Sequence, residues 1–473
     1  MFTVGVRWTI RLIGLLSITI LARLLTPDDF GLINLAVSIV VLAEVTTYVG
    51  VRNALIRERN VDDIDYNTAW TVNFIVNITI GLITAILIAP IAADYFNRPE
   101  VTTIMRVLAL RFGFNAVQNI AIVDFDRNLT FKKDFLLRST ARIFTFVLVI
   151  GTAFLFRTHW ALVVGFVSRS AGLTIFSYLL HPYRPRFCLE RWRKFTNYSI
   201  WMLVDAVAQG IHDQIERIAL GRTADNFLLG IYTTSSQVSK IFTFEIATGI
   251  SRVTFPSFAS MQNQQRRIKQ GIVSAFGAYA LVIAPLALGM SATSDNFIPI
   301  LLGEQWRATT PLFKVIAISV GLQALANPFR PILLAAGLQR FMALTRISLA
   351  AVLIAIVLVT VRLTDPLGLA TTVLAAQSIF FSVYLGIVAT RFRVNLLRLL
   401  AAIGRPCLAG GVMYAVVVFL PVPGDWSSFV DLVCRIGAGA VVYAIVLLSV
   451  WGISGGPDGA ERKVLSMVRS RLK

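Results

Sequence analysis

The stretch ARLLTPDDFGL, residues 22 to 32, places a proline and two aspartates between two long apolar runs. Proline and aspartate favour turns, and an aspartate beside a helix start can accept hydrogen bonds from the first backbone amides. The flanking apolar runs approach the length of about 20 residues that crosses a bilayer. The stretch therefore predicts the turn of a hairpin formed by two membrane-spanning helices.

The whole chain has the composition of a membrane protein. Of its 473 residues, 56% are hydrophobic and 15% are charged, whereas a soluble protein carries about 25% charged residues. The predicted fold class is thus an all-α polytopic membrane protein. Hydropathy in windows of about 20 residues predicts fourteen spans, near residues 6–25, 30–50, 69–93, 101–121, 135–156, 160–180, 196–221, 227–254, 271–293, 307–328, 341–363, 367–390, 400–420 and 429–451.

Basic residues are distributed unevenly between the segments that join these spans. Alternate loops and the C-terminal tail hold 24 Lys and Arg, and the remaining loops hold four, Arg98, Arg157, Arg222 and Arg362. Because Lys and Arg accumulate on the cytoplasmic side, both termini are predicted to be cytoplasmic. This asymmetry explains the net charge of +19 without nucleic-acid binding, since no polar stretch is long enough for a soluble basic domain.

Two sequence echoes indicate an internal repeat. RTADNFLLG, residues 222–230, resembles the opening stretch, and a shift of 197 residues aligns Thr26, Asp28 and Phe30 with Thr223, Asp225 and Phe227. RVLAL at 106–110 similarly matches KVIAI at 314–318. Both pairs lie six spans apart, which favours a duplication of six-helix units. Such repeats are typical of transporters whose substrate site lies between the halves.

The repeat predicts two halves of six helices each, with a substrate site between them. The remaining predicted segments are a basic cytoplasmic linker at 181–195, two additional spans within 400–451 and a basic cytoplasmic tail at 452–473.

Charged residues inside the predicted spans are the candidates for function. A charge at mid-bilayer costs on the order of 3 kcal/mol, so most of these side chains must face one another, an aqueous cavity or the headgroups. Long side chains near span ends, such as Arg106, Arg138, Lys314 and Arg346, can instead reach the interface. The candidates for a cationic, substrate-binding cavity are Arg11, Arg111, Arg142, Arg169, Lys240 and Arg252.

Span seven, DAVAQGIHDQIER, carries polar residues at helical spacings of three and four. This pattern predicts a polar stripe that forms a cavity wall, in which a histidine or carboxylate could titrate for ion coupling. An alternative is that the acids only form ion pairs with Lys240 and Arg252 and hold the second half together. The candidates for the polar wall or for ion coupling are Glu44, Asp205, Gln209, His212, Asp213, Glu216 and Glu245.

Motifs of soluble enzymes are absent from the sequence. It contains no phosphate-binding GxxxxGKS/T, no HExxH and no GxSxG. The three cysteines, Cys188, Cys407 and Cys434, are too few and too scattered for a disulfide framework or a metal motif. We therefore predict no enzymatic activity, no cofactor and no metal site.

Several segments together resemble the polysaccharide transporter family. They are ILARLLTPDDFGLINLA at 20–36, ALIRERN at 54–60, LTFKKDF at 129–135, HWALVVG at 159–165, HPYRPRF at 181–187, GIYTTSSQV at 230–238 and RVTFPSFASMQ at 252–262. The similarity extends from residue 1 to about residue 400 and is greatest to the Wzx-type flippases of the colanic-acid-exporter-like branch, within the multidrug/oligosaccharidyl-lipid/polysaccharide exporter superfamily.

The resemblance implies two pseudo-symmetric six-helix lobes around a central cavity, an N-terminal lobe at 1–180 and a second lobe at 196–391. It also implies a flippase that moves undecaprenyl-diphosphate-linked oligosaccharide repeat units across the bacterial inner membrane by alternating access, for exopolysaccharide, capsule or O-antigen biosynthesis. The implied partners are this lipid-linked oligosaccharide, the phospholipid bilayer, a polysaccharide polymerase and a chain-length regulator, without nucleic acid. Two alternatives remain open. One is an ion-coupled multidrug exporter, and the other is a membrane-embedded polysaccharide polymerase, although the longest predicted outer loop, 294–306, is short for such an enzyme.

Overall fold

The predicted hairpin turn is a two-residue break between the first two helices, α1 (Phe2–Leu24) and α2 (Pro27–Thr46). Thr26 is the capping residue of α2: its Oγ1 accepts a hydrogen bond from the Asp29 backbone amide at 3.3 Å. The Asp29 carboxylate accepts in return from the Thr26 backbone amide at 3.0 Å, and Pro27 occupies the first helical position, where no amide is needed. The turn is confirmed, with a threonine rather than an aspartate as the cap.

The structure is a computed structural model of the chain. It describes residues 2–47, 51, 55–56, 61–128, 130–193, 200–260, 265–363, 365–421, 427–457, 459 and 461–462. Side chains are described for these residues apart from 2–12, 131, 200–202, 245–246, 248, 251–257, 259–260 and 265.

The described chain is helical and contains no β-strand. The helices that follow the first hairpin are α3 (Asp63–Ile83), which continues through a π-helical turn (Thr84–Ile88) into α4 (Ala89–Phe96), and then α5 (Glu100–Val117), α6 (Asp124–Arg127), α7 (Phe131–Phe156), α8 (Trp160–Leu180), α9 (Ile200–Thr223), α10 (Asn226–Ser260), α11 (Gln265–Ala292), α12 (Ser294–Leu302), α13 (Thr310–Leu325), α14 (Phe329–Ala335), α15 (Gln339–Leu363), α16 (Pro366–Arg391), α17 (Leu396–Phe419) and α18 (Ser428–Ile453).

Ten helical segments of the described chain are long and apolar enough to cross a membrane. The prediction of an all-α polytopic membrane protein is confirmed, but the count of fourteen spans is not. The other four predicted spans coincide with α1, α5, α9 and α10, and α9 in particular carries the polar stripe, which lowers its hydropathy. The ten segments are Pro27–Thr46, Asp63–Phe96, Lys132–Phe156, Trp160–Leu180, Arg266–Ala292, Glu304–Ala335, Gln339–Leu363, Pro366–Arg391, Leu396–Phe419 and Ser428–Ile453.

The internal contacts divide the chain into two compact units. The first contains Met1–Gly230 and Arg346–Ala350, and the second contains Ile231–Thr345 and Ala351–Lys473. The predicted lobes and their boundaries at 181–195 and 391 remain predictions. Large apolar side chains are exposed in both units, for example Leu155 at 78% and Ile453 at 88%, as expected for helix faces that contact lipid acyl chains.

In the first unit, the residues after α8 form an extended segment that runs along α3 and is not part of a β-sheet. Asn67 of α3 accepts hydrogen bonds through its Oδ1 from the Tyr183 hydroxyl and, at 2.8 Å, from the Arg186 amide. The Arg191 guanidinium lies 2.9 Å from Asp62 and 3.1 Å from Asp65. Within the predicted linker, residues 181–191 are therefore attached to the first unit.

The two helix starts that echo each other in the sequence are both capped by a side chain, and the capping residues differ from the pair that the sequence echo aligned. Asp225 accepts a hydrogen bond from the Leu228 amide at 2.7 Å and so caps α10, as Thr26 caps α2. The two capping residues are 199 positions apart, whereas the sequence echo aligned Thr26 with Thr223. The difference of two residues arises because short polar side chains at either position can cap a helix, and only the backbone decides which one does.

Candidate functional site

Arg111, a predicted site residue on α5, has 13% of its side chain exposed. Its Nη2 lies 2.8 Å from Oε2 and 2.9 Å from Oε1 of Glu44 on α2. The Nε atom of Arg111 is buried and donates to no acceptor among the described residues. Because a buried donor without a partner is costly, this atom marks a position where an anion would be stabilised.

Arg142, on α7, packs against α1 at a glycine. A Cβ placed on Gly14 would lie 2.7 Å from Nη2 of Arg142, so glycine at this position makes room for the guanidinium. Arg142 is half-buried and forms no hydrogen bond or ion pair with the described part of the chain. Its charge repels that of Arg169 on α8.

Arg169, on α8, is exposed to solvent. Its charge interacts with those of Arg111, Glu44 and Arg138. Arg138 is half-exposed and has its own counter-ion, Asp134, one turn earlier at 2.8 Å.

We call Arg111, Arg142, Arg169 and Glu44 the arginine cluster. Four helices of the first unit contribute its members, and the cluster contains three guanidinium groups and one carboxylate, so it carries an excess of two positive charges. Arginine presents its donors in a planar fork that matches phosphate oxygens bidentately. The arrangement is therefore suited to an anion with more than one charge.

Four of the five residues of the polar stripe predicted on α9 are partly exposed, and the fifth is buried. Gln209, His212, Asp213 and Glu216 are half-buried, whereas Asp205 is 2% exposed. An ion pair joins the Asp205 carboxylate to Nε of Arg346 on α15, at 2.8 Å. An ion-coupling role for any residue of the stripe remains a prediction.

The remaining predicted site residues belong to the second unit or lie outside the described residues. Lys240 is half-buried on α10, in the second unit. The side chains of Arg11, Glu245 and Arg252 lie outside the described part of the chain, so their predicted roles are untested. No group of three or more His, Cys, Asp and Glu side chains suited to a metal ion occurs among the described residues.

The sequence did not identify two residues that contact predicted site residues, Gly14 beside Arg142 and Arg346 beside Asp205. Gly14 was not singled out, because a single glycine in an apolar span carries no signal of the arginine beside it. Arg346 was assigned to the membrane interface, because its partner, Asp205, is distant in the sequence and helix neighbours cannot be deduced from hydropathy. Polarity within an apolar helix was the signal that identified Glu44 and Asp205 themselves.

The fold and the arginine cluster define a polytopic helical membrane protein with an excess of positive charge on the membrane helices of its first unit. A family model described as "Polysaccharide biosynthesis protein" matches residues 20–311, more than half of the chain. The chain belongs to this polysaccharide biosynthesis protein family, which confirms the resemblance found in the sequence.

Known proteins of similar sequence are named for polysaccharide biosynthesis and transport. The chain is 23% identical over 329 residues to Lipopolysaccharide biosynthesis protein WzxC of Escherichia coli (strain K12), a match that covers 68% of this chain and 66% of that protein. It is 23% identical over 327 residues to Succinoglycan biosynthesis transport protein ExoT of Rhizobium meliloti (strain 1021), covering 68% and 65%. The chain thus spans about two thirds of the length of these two relatives.

A solved structure shares the fold. Lipid II flippase MurJ, in an inward closed conformation, superposes with a TM-score of 0.76 over 95% of this chain and 98% of that chain. Because the sequence identity is 12%, the likeness concerns the fold alone.

Proposed function

We propose that this protein is a flippase that moves undecaprenyl-diphosphate-linked oligosaccharide repeat units across the bacterial inner membrane. One observation carries the proposal. Arg142 and Arg169 form no ion pair within 4 Å among the described residues, and Arg169 shares its electrostatic interaction with Glu44 with Arg111, whose Nε is a buried donor without an acceptor. The names of the relatives, which include lipopolysaccharide biosynthesis and succinoglycan transport, support the same class of cargo.

A charged side chain inside a membrane is unfavourable unless another group compensates it. An uncompensated arginine at mid-bilayer costs on the order of 3 kcal/mol, so two of them side by side require a compensating gain. A diphosphate that joins a lipid to a sugar carries two negative charges, which equals the excess positive charge of the arginine cluster. Bidentate hydrogen bonds to arginine hold such a group more firmly than single contacts do.

Orientation and location follow from the same proposal. We assign both termini to the cytoplasm from the excess of Lys and Arg in alternate loops. The turns at Thr26 and Asp225 then lie on the outer side of the inner membrane. We further propose a transport role without catalysis, with two lobes at 1–180 and 196–391 and with a polysaccharide polymerase and a chain-length regulator acting after the flippase.

The test compares arginine variants with a matched control. Arg142→Ala, Arg169→Ala and Arg111→Ala are each expected to weaken binding of a short-chain lipid diphosphate to the purified protein by about tenfold or more, since each removes a charge-assisted hydrogen bond of about 1.5–3 kcal/mol. Arg138→Ala, whose charge is already matched by Asp134, should bind within about twofold of the wild type.

A cellular readout separates the flippase from an enzyme. A null strain is expected to accumulate the lipid-linked repeat unit on the cytoplasmic leaflet, and each cluster variant should restore less polymer export than Arg138→Ala does. Accumulation of unpolymerised repeat units on the outer leaflet would instead indicate a polymerase. Full export and full binding by all three cluster variants would refute the proposed role of the arginine cluster.

A further inference from the structure

The extended segment after α8 follows α3 in a fixed register. The Arg186 amide donates to Oδ1 of Asn67 at 2.8 Å, and the Cys188 amide donates to Oγ1 of Thr71 at 3.0 Å. Two residues of an extended chain span about 6.6 Å, which matches the rise of about 6 Å between positions four apart on a helix. Bonds of the backbone, rather than of the arginine side chains, therefore hold this part of the segment against α3.

The arginines of the segment differ in how their charges are compensated. Arg191 lies 2.9 Å from Asp62 and 3.1 Å from Asp65. Arg184 and Arg186, which we call the arginine pair, form no ion pair with a carboxylate among the described residues. Residues two apart share a side of an extended chain. The arginine pair therefore places two uncompensated charges on one side of the segment, about 6–7 Å apart along the backbone.

Arg184 is held in position by groups that carry no net charge. Its Nη1 donates to the carbonyl oxygens of His181 and Tyr183, both at 2.9 Å. Its Nη2 donates to the carbonyl oxygen of Tyr178 at 3.2 Å, and the guanidinium lies 5.4 Å from the centre of the Tyr178 ring. The charge of Arg184 is thus positioned but not neutralised. Arg186 is exposed, and its guanidinium forms no hydrogen bond with the described residues.

Large apolar side chains lie next to the arginine pair in the segment. Phe187 packs edge-on against Trp70 and Phe74 of α3, with ring centroids 5.1 and 5.3 Å away, yet 69% of Phe187 is exposed. Leu189, two residues later, is 47% exposed. Aromatic residues concentrate at the level where a membrane meets water, and exposed apolar side chains beside basic ones suit the boundary between acyl chains and headgroups. The segment therefore has the chemistry of a site at the membrane interface.

We propose that the arginine pair, together with Phe187 and Leu189, forms a binding site for an anionic phospholipid. The two guanidinium groups bind the phosphate, because arginine matches phosphate oxygens bidentately, and the two apolar side chains contact the start of the acyl chains. In the proposed orientation the site lies in the cytoplasmic leaflet, and this placement rests on the proposed function. An exposed site of this kind binds reversibly, which suits an abundant lipid of the bilayer.

The test measures binding of a fluorescent short-chain phosphatidylglycerol to the full-length protein in neutral detergent, with the matching phosphatidylcholine as comparison. The wild type should bind phosphatidylglycerol at least about fivefold more tightly. Arg186→Gln, which leaves the backbone bond to Asn67 intact, should weaken this binding by about fivefold, and Arg184→Gln/Arg186→Gln should weaken it by about twentyfold, since each arginine near a lipid surface adds a similar attraction. Added salt should reduce these differences.

A matched control separates the site from the total charge of the protein. Arg391→Gln/Arg393→Gln also removes two exposed arginines two positions apart, from another loop of the predicted cytoplasmic side, and should bind phosphatidylglycerol within about twofold of the wild type. Because Arg184→Gln also removes three hydrogen bonds to carbonyl oxygens, thermal unfolding checks that the double variant is folded. If it is not, Arg186→Gln alone decides the outcome.

Three results would overturn the phospholipid site. One is equal affinity of the wild type for phosphatidylglycerol and phosphatidylcholine. Another is an equal loss in Arg391→Gln/Arg393→Gln, because binding would then follow total charge. The third is tighter binding of a short-chain lipid diphosphate than of phosphatidylglycerol, lost in Arg186→Gln, because the pair would then serve the cargo.

The phospholipid site and the proposed headgroup site fail separately. Variants of the arginine cluster leave the arginine pair intact, so Arg142→Ala should bind phosphatidylglycerol as the wild type does. Normal diphosphate binding by Arg142→Ala, together with weakened phosphatidylglycerol binding by Arg186→Gln, would leave the phospholipid site standing and refute the proposed headgroup site.

Discussion

Glu44 holds Arg111 at 2.8 Å across two helices of the first unit, and it is the one carboxylate of the arginine cluster. The pair keeps the Arg111 guanidinium in place while its Nε remains unused. Glu44 therefore acts on Arg111 in two opposing ways. It stabilises the buried charge in the absence of cargo, and it competes with an arriving anion for the same side chain.

The first prediction concerns this competition. Glu44→Gln is expected to lower the free energy of unfolding by about 1–3 kcal/mol, because a hydrogen bond to a charged group is weakened, and to tighten binding of a short-chain lipid diphosphate several-fold. Thermal unfolding in detergent and isothermal titration measure the two effects. Weaker binding by the variant would show that Glu44 serves to orient Arg111 rather than to compete for it.

The second prediction concerns the buried ion pair between Asp205 and Arg346, whose side chains are 2% and 16% exposed. Removal of one partner leaves the other charge buried, so Arg346→Ala should reduce stability by about 3–5 kcal/mol. The double variant Asp205→Leu/Arg346→Met should be more stable than Arg346→Ala, because no charge is left unpaired.

The exposed ion pair Arg307–Glu304, whose side chains are 68% and 71% exposed, provides the control for the variants of the buried pair. Arg307→Ala should change stability by less than about 1 kcal/mol. Equal losses for Arg346→Ala and the double variant would contradict the ion-pair interpretation.

The third prediction concerns the capping box at Thr26. Thr26→Ala removes the acceptor for the Asp29 amide and should cost about 1 kcal/mol, whereas Thr26→Ser should retain most of the stability. Thr371→Ala is the matched control, because this exposed hydroxyl only donates to Gly368 within its own helix. Similar unfolding midpoints for Thr26→Ala and Thr371→Ala would argue against a stabilising cap.

The fourth prediction concerns His181, which follows α8 outside the membrane-spanning segment. Its Nδ1 accepts a hydrogen bond from the Tyr183 amide at 3.2 Å, and its Nε2 lies 3.5 Å from Asp124. Burial lowers the pKa of His181 below its usual 6.5, the charges of Lys133 and Arg184 act in the same direction, and Asp124 opposes them.

The unfolded chain therefore binds this proton more readily than the folded chain does. Stability contributed by neutral His181 is present above pH 6.5 and is lost as the pH falls towards and through the lowered pKa. His181→Gln, which cannot titrate, should lose less thermal stability than the wild type between about pH 7.5 and about pH 5. Parallel pH profiles for the two proteins would exclude His181 as the source.

The helical membrane fold, the first turn and several candidate site residues could be predicted from the sequence because they depend on local chemistry. Hydropathy over 20-residue windows and the charge of the loops depend on each segment alone, so the all-helical membrane fold and the turn at Thr26 were both predictable. The cost of a charge inside an apolar helix likewise identified Glu44, Arg111, Arg142 and Arg169 as candidates. The family resemblance was also recognisable from short segments such as residues 20–36, and the family model that matches residues 20–311 confirmed it.

The partners of these residues were decided only by the tertiary structure. Hydropathy places a helix in the membrane but does not say which helices are neighbours, so the pairing of Asp205 with Arg346 and the room that Gly14 makes for Arg142 could not be deduced. The alignment of the two helix starts also depended on the backbone, because α10 begins where Asp225, and not Thr223, can cap it. The need for glycine at Gly31 and Gly230 also depended on the packing of their helices, because a Cβ at either position would lie 1.9 Å from a carbonyl oxygen of the other helix.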